Sequence, residues 1–234
     1  MKVKLLHLYY DIMNLYGEYG NIKVLEQHLK DQGIEVTVDK KTINEEVNFE
    51  DYDFIYIGSG TERNQSVILK DMQSRKDDFE KVINQDKVIL LTGNSYEILG
   101  KTINDEPALE ILDFEVHNTE NRITEDVIAS SEVLKNKVVG FVNNMSSIKN
   151  NNQPLFTIEW GLKEKKEGIK YRNVFGTHLI GPLLIRNPEF LKLIIEKICK
   201  QKDEQFEYKD ITYEDEEKGY KLVLQELEAR KDLN

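Results

Sequence analysis

The hydrophobic pattern of the first hundred residues alternates between buried strands and amphipathic helices. Four short runs have the apolar or alternating character of β-strands: 3–9, 35–38, 53–57 and 87–91. Between them, apolar residues at helical spacing predict one helix that ends at Gly33, and a second helix over 65–84 with a break near Ser74. This alternation predicts an α/β fold with a mostly parallel, twisted sheet that is flanked by helices on both faces.

The remainder of the chain predicts an extension of this sheet and a helical end. Short strands separated by polar loops are expected at 111–116, 122–129, 138–142, 155–159 and 171–180, as a mixed or antiparallel extension. Asn187 and Pro188 begin a helix whose apolar stripe includes Cys199, which predicts a packed core thiol. We therefore expect one domain over 1–200 and a C-terminal helical tail over 201–234, whose last helix either docks on the domain or meets a partner protein.

Composition excludes several classes of protein. The 234 residues carry a net charge of −11, which argues against nucleic acid as a partner because phosphate binding requires a basic face. The single cysteine excludes an intrachain disulfide and a multi-cysteine zinc site, and no cofactor or metal site is predicted. No apolar run approaches the ~18 residues that a membrane span requires, so we expect no membrane insertion and a cytoplasmic location.

Two glycine-containing turns follow predicted strands and carry the candidate chemistry. Gly58-Ser59-Gly60 follows the third strand, and Gly93-Asn94-Ser95 follows the fourth. In parallel sheets, sites form at the carboxyl ends of strands, so the two turns are expected to converge on one rim. The second turn has the strand–turn–helix form that often raises a nucleophile, with the helix N–H groups ready to hold an oxyanion, but it contains no cysteine.

Several longer motifs resemble the GatD-type glutamine amidotransferase subunits, which are similar to cobyric acid synthase amidotransferase domains. The motifs cover 11–22, 57–65, 96–100, 139–143 and 176–182, so the resemblance spans nearly the whole chain. It implies a class I glutamine amidotransferase-like, flavodoxin-like fold. It also implies a MurT-type Mur ligase as partner, with which such subunits amidate the glutamate of lipid II in peptidoglycan synthesis. Family members hydrolyse glutamine with a cysteine on the elbow and a histidine on a neighbouring strand.

This sequence departs from the family where the chemistry resides. Alignment on the neighbouring motifs puts the family's cysteine at Gly93 and its histidine at Ile180, and the glycine-rich, arginine-containing stretch becomes 144–148. Thr92 and Ser95 flank the elbow but are expected to point elsewhere, and Cys199 lies on another element. We therefore predict no catalytic residues of the family type and no glutamine hydrolysis by the family mechanism. Losing such a nucleophile costs on the order of 10⁶-fold in rate.

Three functions remain open from sequence. The first is an interaction subunit that retains a Mur-ligase-like partner without glutaminase chemistry. The second is an enzyme or binding protein that takes a small ligand in the degenerate glutamine pocket. The third is an active amidotransferase with an unforeseen nucleophile. His178 is interpreted either as a packed, hydrogen-bonded strand residue or as a group that reaches the old pocket, and Arg63 either as a pocket residue or as a structural ion pair. The candidate pocket residues are Gly58, Ser59, Gly60, Thr61, Arg63, Asn64, Gln65, Asn94, Ser95 and His178.

Overall fold

The protein folds into two sheets with helices packed around them, as described by a computed structural model for residues 1–233. Residue 234, the last of the predicted tail, lies outside the described residues. The strands are β1 (Lys2–Leu8), β2 (Glu35–Lys41), β3 (Phe54–Ile57), β4 (Val88–Thr92), β5 (Thr102–Ile103), β6 (Glu106–Pro107), β7 (Glu115–Ser130), β8 (Val138–Lys149), β9 (Phe156–Trp160), β10 (Lys166–Glu167), β11 (Ile169–Tyr171), β12 (Val174–Thr177) and β13 (Leu179–Ile180). The helices are α1 (Tyr19–Asp31), α2 (Glu62–Gln73), α3 (Lys76–Asn84), α4 (Leu183–Arg186), α5 (Pro188–Lys202) and α6 (Glu214–Asp232).

The first sheet has the order β11-β12-β4-β3-β1-β2. Every neighbouring pair from β12 to β2 is parallel, and only β11 runs antiparallel to its neighbour. Apolar residues of α1 and α5 form one core with this sheet, and those of α2 and α3 form another. The predicted parallel sheet with helices on both faces is therefore confirmed, and the carboxyl ends of β3, β4 and β12 lie side by side along one edge.

The second sheet is mixed, as predicted, but its strands are longer than the pattern suggested. β7 and β8 form one long antiparallel hairpin, with a register shift between Asn118 and Ile123. β7 contains the strand predicted at 122–129, but residues 111–114 of the strand predicted at 111–116 lie outside it, and the strand predicted at 138–142 continues to Lys149. Cross-strand pairing stabilises these polar stretches as strands, whereas their local sequence resembles loops.

Two further local predictions were wrong for tertiary reasons. The segment after the elbow is a 3-10 helix over Gly93–Leu99 rather than an α-helix. The carbonyl oxygens of Ile98 and Leu99 accept bonds from the main chain at Leu109 and at 111–112, so they are not available to extend the helix. The predicted strand over 171–180 is divided between the sheets, because β12 pairs with β4 and β13 pairs with β8.

The C-terminal helix α6 lies on the second sheet. Its buried Leu227 packs against Ile128 and Val139, and the Tyr220 hydroxyl donates to the Lys137 carbonyl oxygen at 2.8 Å. Of the two possibilities for this helix, the structure shows docking on the domain. None of the helices within residues 1–233 is both long and apolar enough to cross a membrane.

A buried carboxylate joins the first sheet to the turn that precedes α4. Glu18 is 0% exposed; its Oε1 accepts the Gly181 N–H at 3.1 Å and its Oε2 accepts the Tyr56 hydroxyl at 2.9 Å. The Thr92 hydroxyl, at the end of β4, also donates to Oε2. Burial raises the pKa of Glu18 above its ordinary value of 4.5, although these hydrogen bonds oppose the shift.

We expect Glu18→Gln to change how stability depends on pH. Because the folded-state pKa of Glu18 is raised, its favourable contribution is complete below pH 4.5 and is lost as pH rises through the folded-state pKa. The free energy of unfolding of the wild type, minus that of Glu18→Gln, should therefore fall as pH rises above 4.5. Urea unfolding from pH 4 to pH 8 measures this, with the exposed Glu35→Gln as the control. A difference that is flat or rises over this range would contradict the assignment.

Candidate functional site

The elbow at the end of β4 retains the geometry of a nucleophile turn. Gly93 has φ +63°, a left-handed conformation that favours glycine. A Cβ atom added to Gly93 would lie 2.2 Å from the Oγ of Ser59 and 2.4 Å from its Cβ. The Ser59 side chain therefore fills the space that a nucleophile at position 93 would need.

The two glycine-containing turns converge, and each bonds the other. The Oδ1 of Asn94 accepts the Gly60 N–H at 3.1 Å, and Gln65 donates through Nε2 to the Asn94 carbonyl oxygen at 2.7 Å. A backbone N–H at the end of β3 is the type of donor that stabilises an oxyanion. Here the Gly60 N–H already has an acceptor within the protein.

The hydroxyls on either side of the elbow turn into the protein. Thr92 is bound to Glu18, and Ser95 Oγ lies 2.8 Å from the Thr92 carbonyl oxygen and 3.0 Å from that of Ile57. Both side chains are fully buried. The Ser95 hydroxyl is held by main-chain acceptors and has no base beside it among the described residues, so it is a poor nucleophile. The Thr92 hydroxyl lies beside a carboxylate but is fully buried, so a substrate cannot reach it.

His178 belongs to a buried polar cluster behind the elbow. Its Nε2 lies 2.7 Å from Glu97 Oε1, and its Nδ1 lies 3.0 Å from the Tyr96 hydroxyl. Its main-chain N–H donates to Glu167 Oε1 at 2.7 Å, and Ser146 donates to the same Glu97 oxygen that faces the imidazole. Burial raises the pKa of Glu167, while the neighbouring His178 opposes the shift. Of the two interpretations of His178, the structure therefore supports the packed, hydrogen-bonded strand residue.

The residue predicted to stand at the family's base position, Ile180, has no titratable group. Ile180 is 1% exposed and pairs with Phe141 across β13 and β8. The only cysteine, Cys199, is buried in α5, and burial raises the pKa of its thiol to about 12. Within residues 1–233, no group of three or more His, Cys, Asp or Glu side chains is arranged to hold a metal ion.

A cavity of about 420 Å³ opens beside the elbow. Five of the ten candidate residues line it: Ser59, Gly60, Thr61, Gln65 and Asn94. The β7–β8 hairpin supplies much of the opposite wall, including Asn118, Arg122, Asn143 and Ser146. The family alignment had placed 144–148 at the site, and residues of this stretch do line the cavity. Asn118 and Arg122 were missed, because only long-range strand pairing brings their part of the hairpin over the carboxyl edge of the first sheet.

The other five candidates lie outside the cavity lining. Gly58 is packed so closely on the Met13 carbonyl oxygen that a Cβ would lie 2.4 Å from it. Arg63 is on the exposed side of α2 and forms none of the ion pairs found within residues 1–233. Asn64 donates to the Ile12 carbonyl oxygen at 2.7 Å. Ser95 points inward, and His178 reaches the cavity wall through Glu97 and Ser146.

The candidate residues include none of the four charged residues that line the cavity, which are Glu62, Glu97, Glu106 and Arg122. Glu97 is buried on the floor, where His178, Ser146 and Gln65 all bond to its carboxylate. The signal for it was a single carboxylate in an otherwise apolar segment after the elbow. Arg122 lies at the rim and had no comparable signal, because its partners are remote in sequence.

We expect Gly93→Ala to destabilise the fold through its contact with Ser59. The left-handed φ costs an alanine about 1–2 kcal/mol, and overpacking adds about 1–3 kcal/mol. Chemical denaturation should show a loss of about 2–5 kcal/mol, and Ser59→Gly in the same chain should recover the overpacking part. Ser59→Gly alone is the matched control. Additive effects of the two substitutions would contradict the proposed contact.

Comparison with known proteins places this geometry in a family. Residues 4–188 match the CobB/CobQ-like glutamine amidotransferase domain. The lipid II isoglutaminyl synthase (glutamine-hydrolyzing) subunit GatD of Staphylococcus aureus is 31% identical over 96% of this chain and 96% of its own length. The GatD subunit of Streptococcus pneumoniae is 28% identical over 86% of this chain and 82% of its own length.

Solved structures agree on the fold. A crystal structure of a glutamine amidotransferase from Thermotoga maritima superposes with a TM-score of 0.51 at 11% identity, and covers 86% of each chain. Another glutamine amidotransferase superposes with a TM-score of 0.53 at 14% identity, over 83% of this chain and 98% of that one. The fold is therefore that of the class I glutamine amidotransferases. The chain belongs to the CobB/CobQ-like glutamine amidotransferase family and, within it, to the GatD-type subunits.

Proposed function

We propose that this chain is a GatD-like subunit of cytoplasmic lipid II amidation that pairs with a MurT-type Mur ligase and does not itself hydrolyse glutamine. The observation that carries the second half of this proposal is Gly93. The elbow keeps the backbone shape of a nucleophile turn, but the residue at its tip has no side chain and Ser59 occupies the space in front of it.

The surrounding groups support the loss of chemistry. The candidate oxyanion donor, the Gly60 N–H, is bound by Asn94, and the position of the family's base holds Ile180. A nucleophile, its base and its oxyanion donor act as a unit, and removing the first alone costs on the order of 10⁶-fold in rate. Nothing in this arrangement supplies a thiolate, because Cys199 is buried in another helix.

The role in lipid II amidation rests on the relatives. Two proteins named as GatD subunits of lipid II isoglutaminyl synthase match over most of their length, and one of them matches over 96% of this chain. A ligase that retained this subunit could take free ammonia in place of glutamine-derived ammonia. The subunit would then stabilise or position the ligase.

Two alternatives have specific support and share one test. The polar cavity beside the elbow favours a repurposed ligand site. The Ser59 hydroxyl, which lies where a nucleophile side chain would stand, is the strongest substitute nucleophile, although no base within residues 1–233 hydrogen-bonds to it.

Purified protein, alone and with its ligase, should release no glutamate from glutamine above the rate of a no-enzyme blank. The reason is the absent thiolate at Gly93. A coupled glutamate assay measures the release, with a glutamine-hydrolysing GatD subunit and its ligase as the positive control.

Turnover near 1 s⁻¹, an ordinary enzyme rate, would refute this half of the proposal. Ser59→Ala would then identify the source: lost turnover would assign the reaction to the Ser59 hydroxyl, and retained turnover would require another nucleophile.

The tagged chain should co-purify in a stoichiometric complex with a co-expressed Mur-ligase-type protein from the same cell. Size-exclusion chromatography with light scattering measures the complex, and amidation of the ligase's substrate should proceed with ammonium but not with glutamine. A monomer that never shifts in the presence of the ligase would contradict the partnership. Glutamine-dependent amidation would instead contradict the inactive assignment.

A further inference from the structure

The mouth of the cavity beside the elbow presents an exposed tyrosine in an unfavourable backbone conformation. Tyr16 lines the cavity, its residue is 45% exposed, and its φ of +60° lies in the left-handed region. A bulky non-glycine residue in that region costs about 1–3 kcal/mol, and such residues cluster at functional sites. The conformation holds an aromatic ring at the rim, where one face of a ligand could stack.

The opposite wall carries carboxamides with unused hydrogen-bonding capacity. The Asn144 side chain is not part of this capacity, since its Nδ2 donates to the Ser146 carbonyl oxygen and its Oδ1, which has no partner among the described residues, is buried away from the cavity. The side chain of Asn118 forms no hydrogen bond within residues 1–233, and Asn143 uses only its Oδ1. The wall therefore offers both donors and acceptors, mainly as neutral groups.

Three of the four charged residues that line the cavity already have partners. Arg122 at the rim donates to Glu62 at 2.8 Å and to Asn143 at 3.0 Å, and Glu97 on the floor faces His178 at 2.7 Å. The fourth, Glu106, is an exposed carboxylate, so an anion would have to displace Glu62 from Arg122 and a cation would find a single exposed carboxylate to bind. The Gly60 N–H, which could have bound a carbonyl or an anion, is bound by Asn94.

We propose that this cavity binds a neutral, hydroxyl-rich ligand of the sugar class, which stacks on Tyr16 and is bound by Asn118 and Asn143. Each sugar hydroxyl is at once a donor and an acceptor and so matches a carboxamide wall, while a sugar ring offers an apolar face to tyrosine. The volume of about 420 Å³ lies within the 300–1,000 Å³ of small-molecule sites. The inference rests on the proposed function, because the site must be free of glutamine chemistry.

Isothermal titration of the full chain with glucose, with N-acetylglucosamine and with L-glutamine tests this ligand class. N-acetylglucosamine adds an amide to the hydroxyls, so it should bind more tightly than glucose, and both should bind more tightly than glutamine. Tyr16→Gly removes the ring and also relieves the left-handed strain. It should therefore unfold at an equal or higher temperature than the wild type while the affinity for sugar falls at least tenfold.

Asn118→Ala should weaken sugar binding by about threefold to tenfold, as the loss of one hydrogen bond requires. Tyr19→Ala, which removes an exposed tyrosine outside the cavity lining, should leave the affinity unchanged. No sugar binding at 10 mM, preferential binding of glutamine, or equal losses in the Tyr16 and Tyr19 variants would each overturn the proposal. Glutamate release in the separate assay would overturn the inactive assignment instead, so the two failures are distinguishable.

Discussion

The contact between Ser59 and Gly93 is the constraint on which the site depends. Two parallel strands end side by side, so the turns that follow them must share a small volume at the sheet edge. Gly93 adopts its left-handed conformation because it has no Cβ, and the same absence admits the Ser59 side chain. The elbow is thus stable as a close contact between two turns.

Buried polar networks hold this edge in place. Glu18 joins Thr92 at the base of the elbow to the Gly181 turn, and Glu97 joins the elbow segment to His178 and the second sheet. Removing one partner of such a network leaves a buried polar group without its hydrogen bond, which costs about 1–3 kcal/mol. Packing and hydrogen bonding therefore hold this edge in place independently of catalysis.

Family membership and the residues of the site are separate findings. The fold, the family match and the long alignment with GatD subunits agree, and at the site itself the elbow carries Gly93, β13 carries Ile180 and the β7–β8 hairpin forms a wall of the cavity. A fold supports whatever chemistry its site residues allow, and here the rim supplies hydrogen-bonding side chains and an aromatic ring rather than a nucleophile.

The sequence alone determined the parallel sheet, the convergence of the two turns and the family. Short apolar strands and glycine-containing turns are local signals, and they also show where each strand ends. The sequence also indicated the absent cysteine directly, at Gly93. Tertiary structure decided the rest of the site. The β7–β8 hairpin brought Asn118, Arg122 and Asn143 over the sheet edge through pairings between residues remote in sequence. The same long-range packing excluded Arg63 and Ser95 from the cavity lining. Sequence spacing shows that a residue is near a turn, but it does not show the direction in which its side chain points.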